Sequence, residues 1–404
     1  MRERKILILV GDGMADYPIE SLGGKTPLEA ARTPNMDLLA RKGIFGLVKT
    51  VPDGMSPGSD TANLSIFGYN PKEFYTGRAP LEALNMGIEL GPGDVAFRCN
   101  MVTVREGIMS DFSAHHIDSE FSKVVIEVLE KEISGNGIEL YPGVSYRNIM
   151  VWRGYPHGEL PVTIPPHDIQ DRGIASHLPR GSGADRLNEI MERSTRIIAE
   201  SSTITKARDR FKGDPTSVWL WGGGWKPGMR SLNERFGLRG YTISAVDLIH
   251  GIGRAAGLEP LRVAGATGYL DTNYTGKADA LINALAEVNF VLLHVESPDE
   301  SGHEGNLEHK LQAIEDFDEK VVGRVLDRLE GRADYSLLVL PDHPTPVSLK
   351  THSREPVPFA MLKRGVTGED RNVIEGFTGF NERSAGMTGV FVERGHDLLG
   401  MMVE

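Results

Sequence analysis

The sequence predicts an α/β protein with a mostly parallel sheet covered by helices, interrupted by a smaller α+β insert. In the C-terminal half, short continuous apolar segments alternate with amphipathic helices, as in a parallel sheet buried on both faces. The middle of the chain alternates apolar and polar residues, which is typical of antiparallel strands with one solvated face. A chain of 404 residues exceeds what one hydrophobic core usually serves. We therefore expect two domains, a core of residues 1–90 and 205–404 and an insert of residues 91–204.

The core elements follow from apolar periodicity and helix-start signals. Lys5–Val10 is predicted to be a buried strand, and Thr33–Lys42 a helix introduced by Thr-Pro. The C-terminal half continues as helix, strand, helix, strand and strand: Lys277–Glu287, Phe290–Val295, His309–Glu330, Ser336–Leu340 and Pro358–Lys363.

The insert contains three alternating strands and two helices. In that order they are Ala96–Val104, Gly107–Asp111, Arg147–Trp152, Ser119–Ile133 and Arg186–Glu200. Residues 154–183 are rich in Pro and Gly and predict a long loop, which in a compact domain is usually functional or mobile. Val218–Leu220 is expected to return the chain to the core sheet.

Composition excludes several classes of protein. The net charge of −12 argues against a nucleic-acid binder, which would have a basic surface. No apolar run reaches the length of a membrane span, and the charged N-terminus has no apolar signal segment, so no membrane partner is expected. The single cysteine, Cys99, leaves no internal disulfide and fits a reducing cytoplasm. An anionic small molecule would have to be held by local Arg and Lys residues or by metal.

Carboxylate and imidazole residues follow three of the predicted strands. Asp12 comes directly after the first strand, Asp299 and His303 follow Phe290–Val295 at i, i+4 spacing, and Asp342-His343 follows Ser336–Leu340, with His352 nine residues later. Ligands of open α/β sheets bind at the carboxyl ends of strands, and this ligand set suits Zn²⁺ or Mn²⁺. Each motif alone also fits a turn or a helix cap beside a surface histidine, but together they predict a two-metal site.

Ser59 lies in Pro57-Gly-Ser-Asp-Thr-Ala-Asn63, before an apolar helix start. A serine in this position is most often a helix N-cap. Alternatively it is a nucleophile at a helix N-terminus, where backbone N–H groups favour an attached phosphate and a metal ion activates the hydroxyl. The residues alone leave both interpretations open.

These motifs resemble the metal site of the alkaline-phosphatase superfamily. Gly11-Asp12-Gly13, Gly58-Ser59-Asp60, Asp299-x-x-x-His303, Asp342-His343 and His352 occur in the order of that site. Residues 29–36, Glu-Ala-Ala-Arg-Thr-Pro-Asn-Met, and residues 265–277, Gly-Ala-Thr-Gly-Tyr-Leu-Asp-Thr-Asn-Tyr-Thr-Gly-Lys, look like the archaeal-type branch of cofactor-independent phosphoglycerate mutases. The resemblance covers nearly the whole chain and implies an alkaline-phosphatase-like core.

The resemblance also implies roles for individual residues. One metal ion, Mn²⁺ or Zn²⁺, would be held by Asp299, His303 and His352. A second would be held by Asp12, Ser59, Asp342 and His343. Ser59 would carry the phosphoryl group while 3-phosphoglycerate and 2-phosphoglycerate interconvert, without bisphosphoglycerate, and the insert would grip the substrate.

The substrate grip is predicted from residue chemistry. Arg98, Arg147 and Lys277 are candidates because phosphate and carboxylate groups need cationic donors, although a solvated salt bridge is the commoner role of a single Arg. In the insert, His115-His116 and His167-Asp168 could supply a general acid or base.

One segment departs from the archaeal-type pattern. Trp219-Leu-Trp-Gly-Gly-Gly-Trp-Lys-Pro-Gly228 looks like a bacterial branch proposed to be homoserine kinases, so a homoserine kinase-like phosphotransferase is an alternative. A metal-dependent phosphatase, in which water replaces glycerate, is another. The three Trp residues also fit core or interdomain packing, the interpretation we favour.

Overall fold

The computed structural model describes residues 4–363 and 375–404 and divides into two compact units. The first comprises Met1–Tyr75 and Met229–Glu404, and the second is the insert Thr76–Gly228. The insert therefore begins earlier and ends later than the predicted residues 91 and 204. The reason is that the helix Arg78–Asn85 packs on the insert's sheet and the strand Ser217–Trp225 forms part of it.

The strands, numbered along the chain, belong to two sheets. They are β1 Lys5–Gly11, β2 Ile44–Val48, β3 Val95–Arg105, β4 Ile108–Asp111, β5 Ile138–Val144, β6 Arg147–Trp152, β7 Ser217–Trp225, β8 Gly240–Ile243, β9 Glu259–Pro260, β10 Phe290–Val295, β11 Tyr335–Leu340, β12 Val357–Lys363 and β13 Phe391–Val392.

The first unit contains an eight-stranded sheet in the order β13-β2-β12-β11-β1-β10-β8-β9. All neighbours run parallel except the pairs that β12 makes with β11 and β2. This mixed, mostly parallel sheet confirms the predicted α/β class. The central strand β1 lies between β10 and β11, and all three are almost completely buried, which explains their continuous apolar sequences.

Helices cover the sheet of the first unit. They are Pro27–Ala30, Pro34–Lys42, Ser59–Ile66, Pro71–Phe74, Leu232–Phe236, Asp247–Ala255, Tyr274–Ala284, Ser297–Glu304, Leu307–Phe317, Arg324–Arg328, Glu382–Met387 and Leu398–Val403, with short 3-10 turns at Glu20–Leu22 and Gly395–Asp397. The predicted long helix His309–Glu330 is interrupted by a π-helical turn, Asp318–Gly323, whose buried Asp318 carboxylate accepts backbone hydrogen bonds from Asn35 and Met36. Among the described residues, none of the helices is both long and apolar enough to cross a membrane.

The second unit is built on an antiparallel sheet. Its strand order is β4-β3-β6-β5, and β7 pairs with the other edge of β3. Its helices are Arg78–Asn85, Ser119–Ile133, Ala184–Glu200 and Ser202–Arg208, with a 3-10 turn at Pro166–Ile169. The expectation that Val218–Leu220 rejoins the core sheet is wrong, because these residues pair antiparallel with β3.

Candidate active site

Three neighbouring parallel strands bring the carboxylate–imidazole motifs to one edge of the sheet. Val10 of β1 is paired with His294 of β10 and with Leu340 of β11, so the three strands end level with one another. Asp12 follows β1, the helix Ser297–Glu304 follows β10, and Asp342 follows β11. The predicted metal ligands therefore meet because sheet register places them together.

Asp299, His303 and His352 form the first ligand cluster. His303 Nε2 lies 3.2 Å from one Asp299 carboxylate oxygen, and His352 Nε2 lies 3.6 Å from the other. The two imidazole nitrogens are 3.0 Å apart. Two imidazoles and a carboxylate that converge in this way are a ligand set that suits a metal ion.

Asp12, Asp342, His343 and Ser59 form the second cluster. His343 Nε2 lies 3.4 Å from Asp12 Oδ1, 3.5 Å from Asp342 Oδ2 and 3.2 Å from Ser59 Oγ. The ligand atoms of Asp299, His343 and His352 also lie within 4.8 Å of one another. The two clusters therefore adjoin through His343.

The electrostatics of these clusters fit a divalent cation. The pKa of Asp12 is raised well above its ordinary value by burial and by the neighbouring charges of Asp342 and Asp299. Asp12 Oδ1 is buried without a hydrogen-bond partner. Asp299 shows the reverse, since His303 and His352 hold its pKa well below the usual range although burial opposes this. A divalent metal ion would balance the negative charge of the neighbouring carboxylates and would give the unpaired Asp12 oxygen a partner. The residues present therefore fit a metal ion.

Ser59 is the first residue of the helix Ser59–Ile66, and Gly58 occupies the cap position without a side-chain hydrogen bond. The Ser59 hydroxyl is directed at His343 instead of the helix backbone. The N-cap interpretation is therefore wrong. The hydroxyl is half-buried, at the N-terminal end of a helix and beside a ligand histidine, which is the environment that the nucleophile interpretation requires.

Gly13 allows the turn after β1 to approach the ligands. Its φ is +62°, and a Cβ there would lie 2.7 Å from Asp299 Oδ1 and 2.8 Å from Asp299 Cα. Its backbone N–H donates to Asp342 Oδ1 at 3.1 Å. Only glycine supplies both this backbone conformation and the space.

Sequence reasoning missed several residues that support the ligands. The Asn63 amide donates to Asp342 Oδ2 at 2.8 Å and to the Ser59 carbonyl at 2.9 Å. Thr345 donates its hydroxyl hydrogen to Asp299 Oδ1 and lies 3.3 Å from His343 Nδ1. Their positions four residues after Ser59 and two after His343 are the sequence signals that could have identified them.

Lys277 does not face open space. It is fully buried, and its ammonium lies 2.7 Å from Glu296 Oε2 and 3.2 Å from the His294 carbonyl. The structure therefore contradicts its predicted role as a substrate cation, because its ammonium is paired with the buried carboxylate of Glu296.

The predicted cations of the second unit lie among aromatic rings. Arg98 is buried, its Nε lies 3.0 Å from Glu82 Oε2, and its guanidinium lies 4.4 Å from the Trp221 ring centroid. Burial lowers the pKa of Arg98 to about 10. Arg147 is exposed and lies over the Tyr146 ring. Arg98 is thus the internally paired arginine of the two.

The predicted histidines of the second unit also contact these rings. The His167 ring lies 5.5 Å from Trp221, and partial burial lowers its pKa. His116 is exposed and lies 6.5 Å from Tyr146. His115 is exposed as well, and its Nδ1 lies 3.5 Å from Asp111 Oδ2. Two of the three histidines therefore share aromatic neighbours with the arginines, and His115 lies apart with a carboxylate.

The three Trp residues of the Trp-rich segment lie in strand β7, which ends at Trp225. Trp219 is almost fully buried and donates its indole N–H to the Ile164 carbonyl at 2.8 Å. Trp221 donates to Asn100 Oδ1 at 3.1 Å while its ring covers Arg98. The favoured packing interpretation is confirmed for these two residues.

Comparison with known proteins gives consistent matches. Residues 40–203 match the family model described as 2,3-bisphosphoglycerate-independent phosphoglycerate mutase. The chain is 49% identical to a probable enzyme of that name from Geobacter sulfurreducens, over 99% of this chain and 100% of the relative. It is 46% identical to one from Methanosarcina acetivorans, again over 99% and 100% of the two chains.

Solved structures support the same fold. A protein from Pyrococcus horikoshii superposes with a TM-score of 0.81 at 29% identity, covering 100% of this chain and 97% of that one. The cofactor-independent phosphoglycerate mutase from Thermoplasma acidophilum superposes with a TM-score of 0.66 at 24% identity, covering 99% and 98% of the two chains. The first match also covers the full length of the chain.

Proposed function

The chain belongs to the family of 2,3-bisphosphoglycerate-independent phosphoglycerate mutases, and from this premise we propose that it interconverts 3-phosphoglycerate and 2-phosphoglycerate through a phosphoserine at Ser59. The observation that carries the proposal is the Ser59 hydroxyl, 3.2 Å from His343 Nε2 within a buried carboxylate–imidazole cluster. A purely structural metal site needs no hydroxyl in this position. The single buried thiol of Cys99 suits the reducing cytoplasm that we propose as its location.

We assign the ligands to two ions, either Mn²⁺ or Zn²⁺. Asp299, His303 and His352 would hold one ion. Asp12, Ser59, Asp342 and His343 would hold the other. When bound, the ions would supply positive charge that stabilises the serine alkoxide and the transferring phosphoryl oxygens.

Ser59 performs the covalent chemistry in this proposal. Its hydroxyl loses a proton and Oγ forms a bond to phosphorus, while the bond from phosphorus to the 3-oxygen of glycerate breaks and that oxygen takes up a proton. The reoriented glycerate attacks with its 2-hydroxyl, its proton leaves, and Ser59 regains a proton as the Oγ–phosphorus bond breaks. Asn63 holds both the Ser59 carbonyl and Asp342, so it keeps the nucleophile aligned with the ligands.

The grip on the substrate is assigned to the second unit. Arg147 is exposed, and its guanidinium suits bidentate binding of a carboxylate or phosphate. Partial burial lowers the pKa of His167, which favours the neutral imidazole that a proton acceptor requires. Arg98 is paired with Glu82 and packs against Trp221, so we assign it a structural role. His115 and His116 are further candidates for proton transfer.

A ³¹P NMR time course tests the proposal. The sample contains 3-phosphoglycerate, Mn²⁺ and no bisphosphoglycerate, and a chelator-stripped sample serves as the control. We expect the 2-phosphoglycerate resonance to appear only in the metal-containing sample. Inorganic phosphate alone would indicate a phosphatase instead. A reaction that requires ATP and homoserine would indicate the kinase-like alternative.

A further inference from the structure

The two carboxylate oxygens of Asp12 have different neighbours. Oδ1 lies 3.4 Å from His343 Nε2 and has no hydrogen-bond partner, so it is the oxygen that faces the ligand cluster. Oδ2 lies 3.3 Å from Nε2 of His294, a fully buried histidine near the end of β10. One side of this carboxylate therefore belongs to the proposed site and the other to the interior of the unit.

His294 lies between two carboxylates. Its Nε2 is directed at Asp12 and its Nδ1 lies 3.3 Å from Glu296 Oε1. Neither nitrogen has a well-aligned hydrogen bond, although the ring is completely excluded from solvent. Buried polar groups are normally satisfied, so an imidazole held here between two acceptors has a reason beyond filling space.

Glu296 is itself fixed. Its Oε2 is 2.7 Å from the Lys277 ammonium, and its Oε1 accepts hydrogen bonds from Ser244 Oγ at 2.6 Å and Ala245 N at 2.7 Å. Burial alone would raise the pKa of Glu296, but Lys277 and His294 hold it far below its ordinary value, so it remains an anion. A fixed anion on one side of the imidazole leaves the ring little freedom to rotate.

The other two ligand carboxylates are held by different donors. Asp342 accepts hydrogen bonds from Asn63 at 2.8 Å, from Gly13 N at 3.1 Å and from His343 N at 2.8 Å. Asp299 accepts one from Thr345. His294 occupies the corresponding place beside Asp12. Partners of this kind orient metal-binding carboxylates and make them better ligands.

We propose that His294 is a positioning residue for Asp12: its Nε2, 3.3 Å from Oδ2, keeps that oxygen on the interior side so that Oδ1 faces the second metal site. Glu296 and Lys277 set the orientation of the imidazole from the opposite side. This inference rests on the proposed metal site, and it assigns to Lys277 a role behind the ligands in place of substrate binding.

Three substitutions of His294 test the inference. His294→Gln can place an amide N–H near the Nε2 position, His294→Asn places one near Nδ1, and His294→Leu removes both. Metal-free wild type and variants are titrated with Mn²⁺ or Zn²⁺ against a competing chelator, bound ions per chain are counted by elemental analysis, and the melting temperature of each metal-free protein is recorded. His250→Gln is the control, because His250 is another buried histidine of this unit that contacts Thr242 and Ser244 instead of a ligand.

We expect His294→Leu to lower the affinity for one of the two ions about 10- to 100-fold and to leave the affinity for the other unchanged. His294→Gln should bind much more tightly than His294→Asn, while the two have similar metal-free melting temperatures. His250→Gln should keep the wild-type metal affinity. If His294→Leu does not fold, the comparison of Gln with Asn decides the question.

The inference is overturned if His294→Leu binds both ions as tightly as wild type, or if the Gln and Asn variants are equally impaired. In those cases wild-type metal binding, and with it the proposed function, stands. A wild-type protein that binds no divalent ion would overturn both.

Discussion

Two buried cations, Lys277 in the first unit and Arg98 in the second, had the same predicted role but have different surroundings. Each is paired with one glutamate, Glu296 at 2.7 Å and Glu82 at 3.0 Å. Lys277 is enclosed by that glutamate and a backbone carbonyl, and the contacts lead through His294 to Asp12. Arg98 instead lies against the ring of Trp221.

The difference shows that burial and pairing do not by themselves reveal the role of a charge. In the first unit, Lys277 belongs to a chain of buried contacts behind the proposed ligands, so its charge is not available to a substrate. In the second unit, one arginine is paired internally while Arg147 and the three predicted histidines, His115, His116 and His167, are exposed. Fixed geometry suits metal binding, and exposed donors suit recognition of an anion that enters and leaves.

The largest effect should come from the first unit, where we place the chemistry. Ser59→Ala should lower turnover by roughly four orders of magnitude or more, as expected when a nucleophile is removed. Stability should hardly change, because Ser59 does not cap its helix. Intact-mass analysis after rapid quenching should detect one phosphoryl group on wild type and none on the variant. The exposed Ser56, three residues earlier, provides the control, and Ser56→Ala should retain activity.

Substituting the two buried cations sharpens the comparison. Lys277→Met removes the cation paired with the buried Glu296, which should lower the free energy of unfolding by about 3–5 kcal/mol. Arg98→Met should cost less, because Arg78 still pairs with Glu82 at 2.8 Å. Urea denaturation measures this cost. Only Lys277→Met should also weaken metal binding in a chelator competition, because only its glutamate contacts the array behind Asp12.

A double variant checks the reason for that loss. Lys277→Met combined with Glu296→Gln removes both charges, so it should recover part of the stability lost by the single variant. If Lys277→Met and Arg98→Met bind metal with equal affinity, the proposed link between Lys277 and the metal ligands is wrong.

Metal affinity should depend on pH through His303. Hydrogen bonding to Asp299 raises the pKa of His303 in the metal-free protein to about 9, and this proton must leave before the imidazole can bind a metal. Apparent affinity should therefore fall about tenfold for each pH unit below 9, or roughly a hundredfold at pH 7. Chelator competition between pH 6 and 9 measures the slope.

The stability of the metal-free protein should change in the opposite direction. Because the folded pKa of His303 exceeds the unfolded value, its contribution is complete below about pH 6.5 and is lost as pH rises through about 9. Thermal melts of the metal-free protein across this range test the sign, and His303→Ala should lack this contribution. Melts that gain stability from this residue on going to pH 9 would contradict the assignment.

The smallest effect is expected in the second unit. Arg147→Ala should weaken substrate binding by about tenfold, the value of a single charge-assisted contact of about 1.5 kcal/mol. Loss of glycerate before the second transfer should shift the products toward glycerate and phosphate, which ³¹P NMR quantifies. Arg196→Ala, at an exposed arginine paired only weakly with Glu192, is the control. An unchanged product ratio would mean that Arg147 does not hold the substrate, and His116 and His167 would be the next residues to test.

The carboxylates that we propose as metal ligands could be grouped from the sequence, because the rule behind the grouping is local. A polar residue that follows a buried parallel strand lies at the carboxyl edge of the sheet, so Asp12, Asp299 and Asp342 could be grouped without coordinates. The class of the core sheet was predictable for the same reason. The limits of the insert were not, because β7 is assigned by its pairing with β3, which lies more than a hundred residues earlier.

The partners of the individual polar groups, in contrast, became visible only in the folded protein. The same sequence around Ser59 fits a helix cap or a nucleophile. The hydroxyl faces His343 and does not cap the helix, which supports the nucleophile that we propose. Lys277 and Arg98 are alike in sequence as isolated cations. Their roles depend on which carboxylate lies within 3 Å and where that carboxylate leads, and such contacts arise from the packing of elements that no local pattern encodes.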